Sequence, residues 1–369
     1  MSQVHTYLPN RIDQTDLSVF RGPKLGRGKS GTVYSANFTQ SEQKTSEFEQ
    51  IQLSPAIFPN ARSILPHNLF LKTFHDYRVP DYWMEKAILS HISNACNGIV
   101  EFVGYDDSTM TLLLSPQGTL LPQVLSNPET ALSKTELIHI MKQTLTALSS
   151  LHQAGVVFCD VRPQNLVLVK QEDQPNENAS SDQVNTQWKA HLIDFGSSHM
   201  IDEDTPDGKT RGAWVSFEGS LGWASNALLE QILRPSTPPV SPPVSPPSSP
   251  SSQTSTSISS SSSYSTRVFA HDCFYSPSDD LSAMVKMFYL FFHKEDQEKL
   301  DKVRQKLISN TNLTLDEIYN PSCPIPRMLA EEFLNVWKTL TIQEEEWREM
   351  FRAAECGDTN KIMSLLDTL

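Results

Sequence analysis

The stretch from Arg234 to Thr266 places the firmest limit on what this chain can fold into. It reads RPSTPPVSPPVSPPSSPSSQTSTSISSSSSYST, with eight prolines between Pro235 and Pro250 followed by a serine tract. Such a stretch cannot bury enough apolar surface to offset the entropy lost on ordering it. It is expected to be a disordered insertion, partly polyproline II. Any core must therefore be assembled from the segments on either side. Two shorter polar stretches, Ser41 to Gln50 and Gln171 to Gln187, are expected to be loops grown from the same frame. Together the three account for the low apolar share, 38% of 369 residues, and without them the composition is that of an ordinary core-forming chain.

Charge and cysteine usage exclude several function classes. Acidic residues outnumber basic ones, 43 to 30, for a net charge of −13. A nucleic-acid backbone or an anionic membrane is repelled on average, so neither is expected as a main partner. Cys96, Cys159, Cys273, Cys323 and Cys356 are odd in number, far apart and never in a CxxC, which argues against a disulfide framework and gives no metal-site spacing. A reduced compartment is expected, cytoplasmic with nuclear as the alternative. The first residues, MSQVHTYLPNRIDQ, hold no apolar run of a signal peptide, and no stretch approaches the length of a membrane span.

The ordered parts change type along the chain. Residues 18 to 38 form a β-like run with a glycine-rich turn, and NLFLKTF, residues 68 to 74, reads as a short strand. DYWMEKAILSHI has helical spacing at Trp83, Ala87, Ile88 and Ile92. Two strand-like runs follow, GIVEFVGY and TMTLLLS. The clearest helix runs from Lys134 to Leu151, with an apolar stripe of Leu137, Ile140, Met141, Leu145, Leu148 and Leu151. Ser133 and Glu136 form a capping box at its start, and Gly155 stands just past its end. VVFCDV, LVLV and HLIDF are short strand-like pieces, and from about Asp279 the chain is mostly helical. A β-rich first third thus precedes an α-rich remainder, an α+β organisation.

Three constellations carry chemistry. In GRGKSGTV, Gly26, Gly28 and Gly31 stand at G-x-G-x-x-G spacing with Val33 beyond. Glycines let backbone N–H groups approach phosphate oxygens, although a plain glycine-rich hairpin has the same spacing. The β-like TVYSANFT that follows favours a hairpin over phosphates, because a dinucleotide fold needs a helix there. In CDVRPQN, Asp160, Arg162 and Asn165 fit D-x-[KR]-x-x-N, and IDFG supplies Asp194, Phe195 and Gly196. Taken singly, each could form a turn or a cap.

In this order and context, the motifs resemble those of a eukaryotic protein kinase domain, from about residue 16 to the end. The resemblance implies a two-lobed fold, with an N-lobe over about 16–117, a C-lobe over about 118–369 and a short tail at 1–15. It implies ATP and Mg2+ as cofactors and a Ser/Thr-bearing protein as substrate; a monomer is expected. Lys72 would bind the α- and β-phosphates, Glu85 would ion-pair with Lys72, and Gly26, Gly28, Gly31 and Val33 would cover the nucleotide. Asp160 would serve as catalytic base, Asn165 and Asp194 would hold Mg2+, and Arg162 would neutralise charge on the transferring phosphoryl group. Ser220 resembles the hydroxyl residue that bonds to the catalytic aspartate. SDDLSAMVKMFYLFF resembles the buried helix that anchors the catalytic loop, with Asp280 as its aspartate, and Asp279-Asp280-Leu281 is similar to casein-kinase-like and fungal kinases.

Departures from the pattern leave two other readings open. Phe158-Cys159 replaces His-Arg before Asp160, which removes the cation that would pair with an activation-loop phosphate. Ser225-Asn226-Ala227 replaces Ala-Pro-Glu, and Phe70 stands where a small alanine would touch adenine. Forty-one residues separate Gly31 from Lys72, a long gap. A pseudokinase acting as a binding or scaffold module is the first alternative. A kinase-fold enzyme acting on a small molecule is the second, and Gly196 argues against it. AAECGDTNKIMSLL has the look of one ankyrin helix, but a single copy cannot stack, so it is expected to form the last helices of the domain. Thr237-Pro238, Ser241-Pro242, Ser245-Pro246 and Ser249-Pro250 read either as targets of proline-directed kinases or as an inert linker, and the segment that holds them could bind partners of its own.

Overall fold

The computed structural model describes residues 17–28, 30–37, 49–55, 68–92, 95–170, 188–201, 211–216, 220–234, 272–311 and 325–369. An antiparallel β lobe comes first. It contains β1 (Leu17–Arg27), β2 (Gly31–Asn37), β3 (Glu49–Pro55), β4 (Leu69–Phe74), β5 (Glu101–Asp106) and β6 (Thr111–Ser115). They close into a barrel in the order β1-β2-β4-β6-β5-β3. Helix α1 (Val79–Ile92) links β4 to β5.

The period-2 alternation of LFLKTF explains how this lobe is built. Leu69 and Leu71 enter a small cluster with Val19, Ala36, Ile51, Leu53 and Leu113, which fills the barrel. Phe70 and Phe74 join the larger cluster that continues into the helices. Lys72 shares their face of the strand, directed away from the barrel interior.

Two expectations need correction here. The polar stretch ending at Gln50 was expected to be a loop, yet Glu49 and Gln50 open β3. Residues Leu17–Arg21 of β1 pair with Glu49–Leu53, and Ser54 and Pro55 pair with Tyr105 and Gly104 of β5. Ile51 and Leu53 place two apolar side chains in the barrel, a period too short to stand out among glutamines. The long gap before Lys72 therefore contains a strand that closes the sheet. The second correction concerns α1. Its buried residues are Tyr82, Glu85, Ile88, Leu89 and Ile92, while Trp83 and Ala87 are exposed. The helix turns a carboxylate inward, and the apolar stripe shifts to accommodate it.

A helical lobe follows, with small antiparallel strand pairs among its helices. Its strands are β7 (Thr119–Leu120), β8 (Val156–Val157), β9 (Leu166–Lys170), β10 (Trp188–Leu192), β11 (His199–Met200), β12 (Ala213–Ser216) and β13 (Asp272–Tyr275). Its helices are α2 (Leu121–Ser126), α3 (Lys134–Gln153), α4 (Asn226–Leu233), α5 (Pro277–Phe292), α6 (Lys294–Thr311), α7 (Ile325–Thr339), α8 (Glu345–Glu355) and α9 (Thr359–Leu366). The capping box of α3 forms in both directions: Glu136 N–H donates to Ser133 Oγ at 3.2 Å, and Ser133 N–H donates to Glu136 Oε2 at 2.8 Å. Gly155 takes φ +78° just beyond the helix, a conformation that favours glycine. Helix α5 packs against α3 and α8 and is buried along most of its length, Asp279, Asp280, Ser282 and Lys286 included. The chain is thus a two-lobed α+β structure. Gln171 to Gln187 and, Arg234 apart, the proline- and serine-rich stretch lie outside the described residues. Among the described residues no helix is long and apolar enough to cross a membrane.

Candidate active site

The charged centre lies between the lobes and is assembled from three elements. Lys72, on β4, donates to Glu85 Oε2 of α1 at 2.6 Å and to Asp194 Oδ1, just past β10, at 2.7 Å. Lys72 and Glu85 are buried, whereas the Asp194 side chain remains 35% exposed. One ammonium thus serves two carboxylates in a poorly hydrated place. Burial alone would lower the Lys72 pKa, but Asp194 and Glu85 hold it above its usual value. Lys72 offsets burial at Asp194 and keeps that carboxyl below its usual pKa. Glu85 is pushed up to about 7, first by burial and also by Asp194, against the pull of Lys72. Asp194 is therefore the firmly ionised carboxylate of the pair.

The glycine-rich hairpin sits on the same sheet. Gly26 pairs with Val33, and Gly28 N–H donates to Gly31 O at 2.8 Å. A Cβ on Gly31 would stand 2.3 Å from Thr73 O, so only glycine fits there. One at Gly26 would meet nothing within 4 Å, and the hairpin is open on that side. Val33 lies directly opposite Lys72 in the β2–β4 register, which puts the two side chains on one face. Phe70 shares that face, 9% exposed, opposite Ser35 on one side and Leu114 on the other. Among the described residues no hydrogen bond joins Gly26 or Gly28 to the charged centre.

The second cluster is the loop between β8 and β9. Asn165 Nδ2 donates to Asp160 O and to Asp160 Oδ2, both at 2.9 Å. Arg162 Nε lies 3.0 Å from Asp160 Oδ2, an ion pair that is not an aligned hydrogen bond, and Arg162 Nη1 donates to Ser220 Oγ at 3.3 Å. Ser220 N–H donates to Asp160 Oδ1 at 3.1 Å. Ile193 N–H donates to Asn165 O at 3.0 Å, which brings Asp194 beside this loop. Asp160 is buried, and burial holds its carboxyl above the usual value against the pull of Arg162, with Asp194 adding to the rise.

Helix α5 holds the loop from behind. Asp280 Oδ2 accepts from Phe158 N–H at 2.8 Å and lies 2.9 Å from His152 Nε2. Its Oδ1 accepts from Cys159 N–H at 3.0 Å and from Tyr275 O–H at 2.9 Å. Cys159 stands at φ +65°, a strained conformation for a side-chain-bearing residue, and Asp194 at +66°. Phe158 and Phe195 meet edge to face, ring centres 5.1 Å apart. The thiol of Cys159 is buried and is pushed up by burial and by the surrounding aspartates, which disfavours the reactive thiolate.

Three features of this support were missed in the sequence. Lys286 of α5 is buried, donating to Ala224 O at 2.6 Å and to Asn226 Oδ1 at 2.9 Å. His152 and Tyr275 complete the shell of Asp280. A lysine within the apolar run MVKMFYLFF was the signal for the first; His152 meets Asp280 across 128 residues, and Tyr275, five residues before Asp280, precedes the helix and lies outside its pattern.

A family model for the protein kinase domain matches residues 71–239. Over these residues the chain is similar to a protein kinase domain. The match begins on β4, so the glycine hairpin and β3 precede it. The chain is similar to Serine/threonine-protein kinase dkf-2 of Caenorhabditis briggsae, with 25% identity over 190 residues, covering 50% of this chain and 13% of that protein. It is also similar to Calcium-dependent protein kinase 11 of Arabidopsis thaliana, with 26% identity over 198 residues, covering 53% of this chain and 33% of that protein. The aligned stretch thus spans a third or less of these relatives' own length.

Proposed function

We propose that the chain, from about residue 16 onward, acts as a protein kinase that transfers the γ-phosphoryl group of ATP to serine or threonine hydroxyls. What supports the reading most is the position of Lys72 between Glu85 and Asp194, a buried cation shared by both lobes. In this reading Lys72 holds the α- and β-phosphates, while Gly26, Gly28, Gly31 and Val33 cover them. Asp160 orients the acceptor hydroxyl and takes its proton as the oxygen attacks phosphorus and the bond to ADP breaks. Burial raises its pKa, which makes it a stronger proton acceptor than a free carboxylate. Arg162 offsets charge on the group in transfer. Ser220 holds Asp160 through its backbone N–H.

Asn165 and Asp194 offer the hard oxygen donors that Mg2+ takes. Asn165 spends its Nδ2 on Asp160, which leaves its oxygen an acceptor, and Asp194 is ionised and partly exposed. Bound by them, Mg2+ would neutralise charge on the phosphates.

Phe70 favours a second reading, a pseudokinase that binds partners without phosphotransfer, because its ring lies on the face it shares with Lys72. Thermal-shift titration with Mg-ATP, followed by phosphotransfer to a generic basic protein and to the chain itself, separates the two. A shift with transfer supports the kinase. No transfer at saturating Mg-ATP supports the pseudokinase.

A further inference from the structure

Ser225-Asn226-Ala227 stands where the Ala-Pro-Glu glutamate would anchor this segment by a buried ion pair, and the chain anchors it by other means, through residues 224–226. Asp279 and Lys286 are seven residues apart on α5, two turns, so they lie on one face about 10 Å apart along the axis. Both reach the same tripeptide. Asp279 Oδ1 accepts from Ser225 O–H, and Lys286 Nζ donates to Ala224 O and Asn226 Oδ1 on either side of it. Trp337 of α7 adds a third contact: its Nε1–H donates to Gly222 O at 3.4 Å, and its ring centre lies 4.5 Å from Lys286 Nζ. The segment held this way runs back to Ser220, whose N–H is on Asp160. Ser225 also caps α4, accepting from Leu228 N–H at 2.9 Å.

We propose that Lys286 is a positioning residue for the protein acceptor: with Asp279 it clamps residues 224–226 to α5 and so holds the strip 220–226 beside Asp160. This inference rests on the phosphotransfer reading for its consequence, though the clamp itself does not. The helix that carries the clamp also carries Asp280, which holds Phe158 and Cys159. One rigid element therefore fixes the catalytic loop at one end and the acceptor strip at the other. A methionine of similar length would fill the same space without the donors. A buried lysine is costly to retain there for packing alone.

The test compares wild type, Lys286→Met and Asn226→Ala in the full chain. Hydrogen exchange is read on peptides covering 220–226 and 158–166, and phosphotransfer on a peptide acceptor. In Lys286→Met, exchange at 220–226 is expected to rise about tenfold, the scale of one lost buried hydrogen bond, with 158–166 unchanged. KM for the acceptor should rise by a similar factor while KM for ATP stays constant, because Lys72, Glu85 and Asp194 are untouched. Asn226→Ala, which alters a half-buried side chain, should move the same readings less, and it decides the matter if Lys286→Met does not fold. Unchanged exchange at 220–226 overturns the clamp. A uniform rise across the domain, with kcat lowered and both KM values constant, means that Lys286 supports only the fold and overturns its positioning role. If wild type transfers no phosphate, the kinase reading fails, and the exchange data still decide whether the clamp exists.

Discussion

Two buried charged centres lie on either side of the catalytic loop, and they use hydrogen-bonding capacity in opposite ways. At the α5 centre, Asp280 meets four donors, from Phe158, Cys159, His152 and Tyr275. Asp279 takes donors from Ser225 and Ser276. Each carboxylate oxygen there already accepts at least one hydrogen bond from the described residues. In the cleft, by contrast, one lysine serves two carboxylates. Glu85 Oε1 is buried without an aligned donor among the described residues, and Asp194 stays partly open to solvent. Burial and charge are common to both centres, so neither marks a site. Unspent capacity does: the α5 centre is a strut, and the cleft is arranged to accept something more.

The comparison predicts different failures. Asp280→Ala should be the most damaging change, because it orphans two buried backbone N–H groups and a tyrosine hydroxyl together. A loss of about 3–5 kcal/mol is expected from urea unfolding. A loss below about 1 kcal/mol would mean the strut is dispensable. Asp194→Asn should do the reverse. Its partner Lys72 keeps Glu85, so the fold should hold within about 1 kcal/mol, while phosphotransfer falls by about 10²–10³ or more. Equal phosphorylation by wild type and variant would remove Asp194 from the chemistry.

This contrast also explains what could be read from the sequence. Helix α3 was legible end to end, because its stripe and capping box are local. Asp160, Asn165 and Asp194 were legible because each lies in a short motif, and the loop brings them together. The face of α1 was not legible from apolar spacing, which pointed to Trp83 and Ala87; only the resemblance gave Glu85 its partner on β4. Strand β3 was hidden because only Ile51 and Leu53 carry its pattern. Lys286 was passed over because a lone lysine in an apolar helix has meaning only once Ala224 and Asn226 are placed against it. What the sequence conceals here is long-range satisfaction of polar groups.

A smaller effect tests how open the cleft is. Phe70 faces it beside Lys72, so Phe70→Ala should tighten nucleotide binding by about tenfold, near 1.4 kcal/mol. The same change should cost stability, because the ring belongs to the main cluster. Calorimetry on the folded variant reads the first effect. Weaker binding would show that the ring stacks on the base, and the cleft would then be completed by Phe70 instead of crowded by it.

The least effect is expected from pH, and it probes the strut. Burial pushes Lys286 down to about 7 from a lysine's usual 10.5. Asp279 on its own helix and Glu355 on α8 pull the other way, with Trp337's ring alongside. Both of its hydrogen-bond acceptors are neutral oxygens, so the amine donates to them whether or not it is charged. Between about pH 7 and 10 the unfolded chain therefore holds a proton that the fold does not. Folding stability must rise with pH across that window, by at most about 1.4 kcal/mol per unit from this group. Below about 7 both states are protonated and the slope vanishes. Lys286→Met has no such proton to exchange. Urea unfolding of wild type and variant at pH 7.5 and 8.5 should thus show wild type gaining about 1 kcal/mol over the variant. Parallel behaviour would place the lysine in a wetter environment than the packing around α5 implies, and the strut would then retain the spare capacity that separates a site from a support.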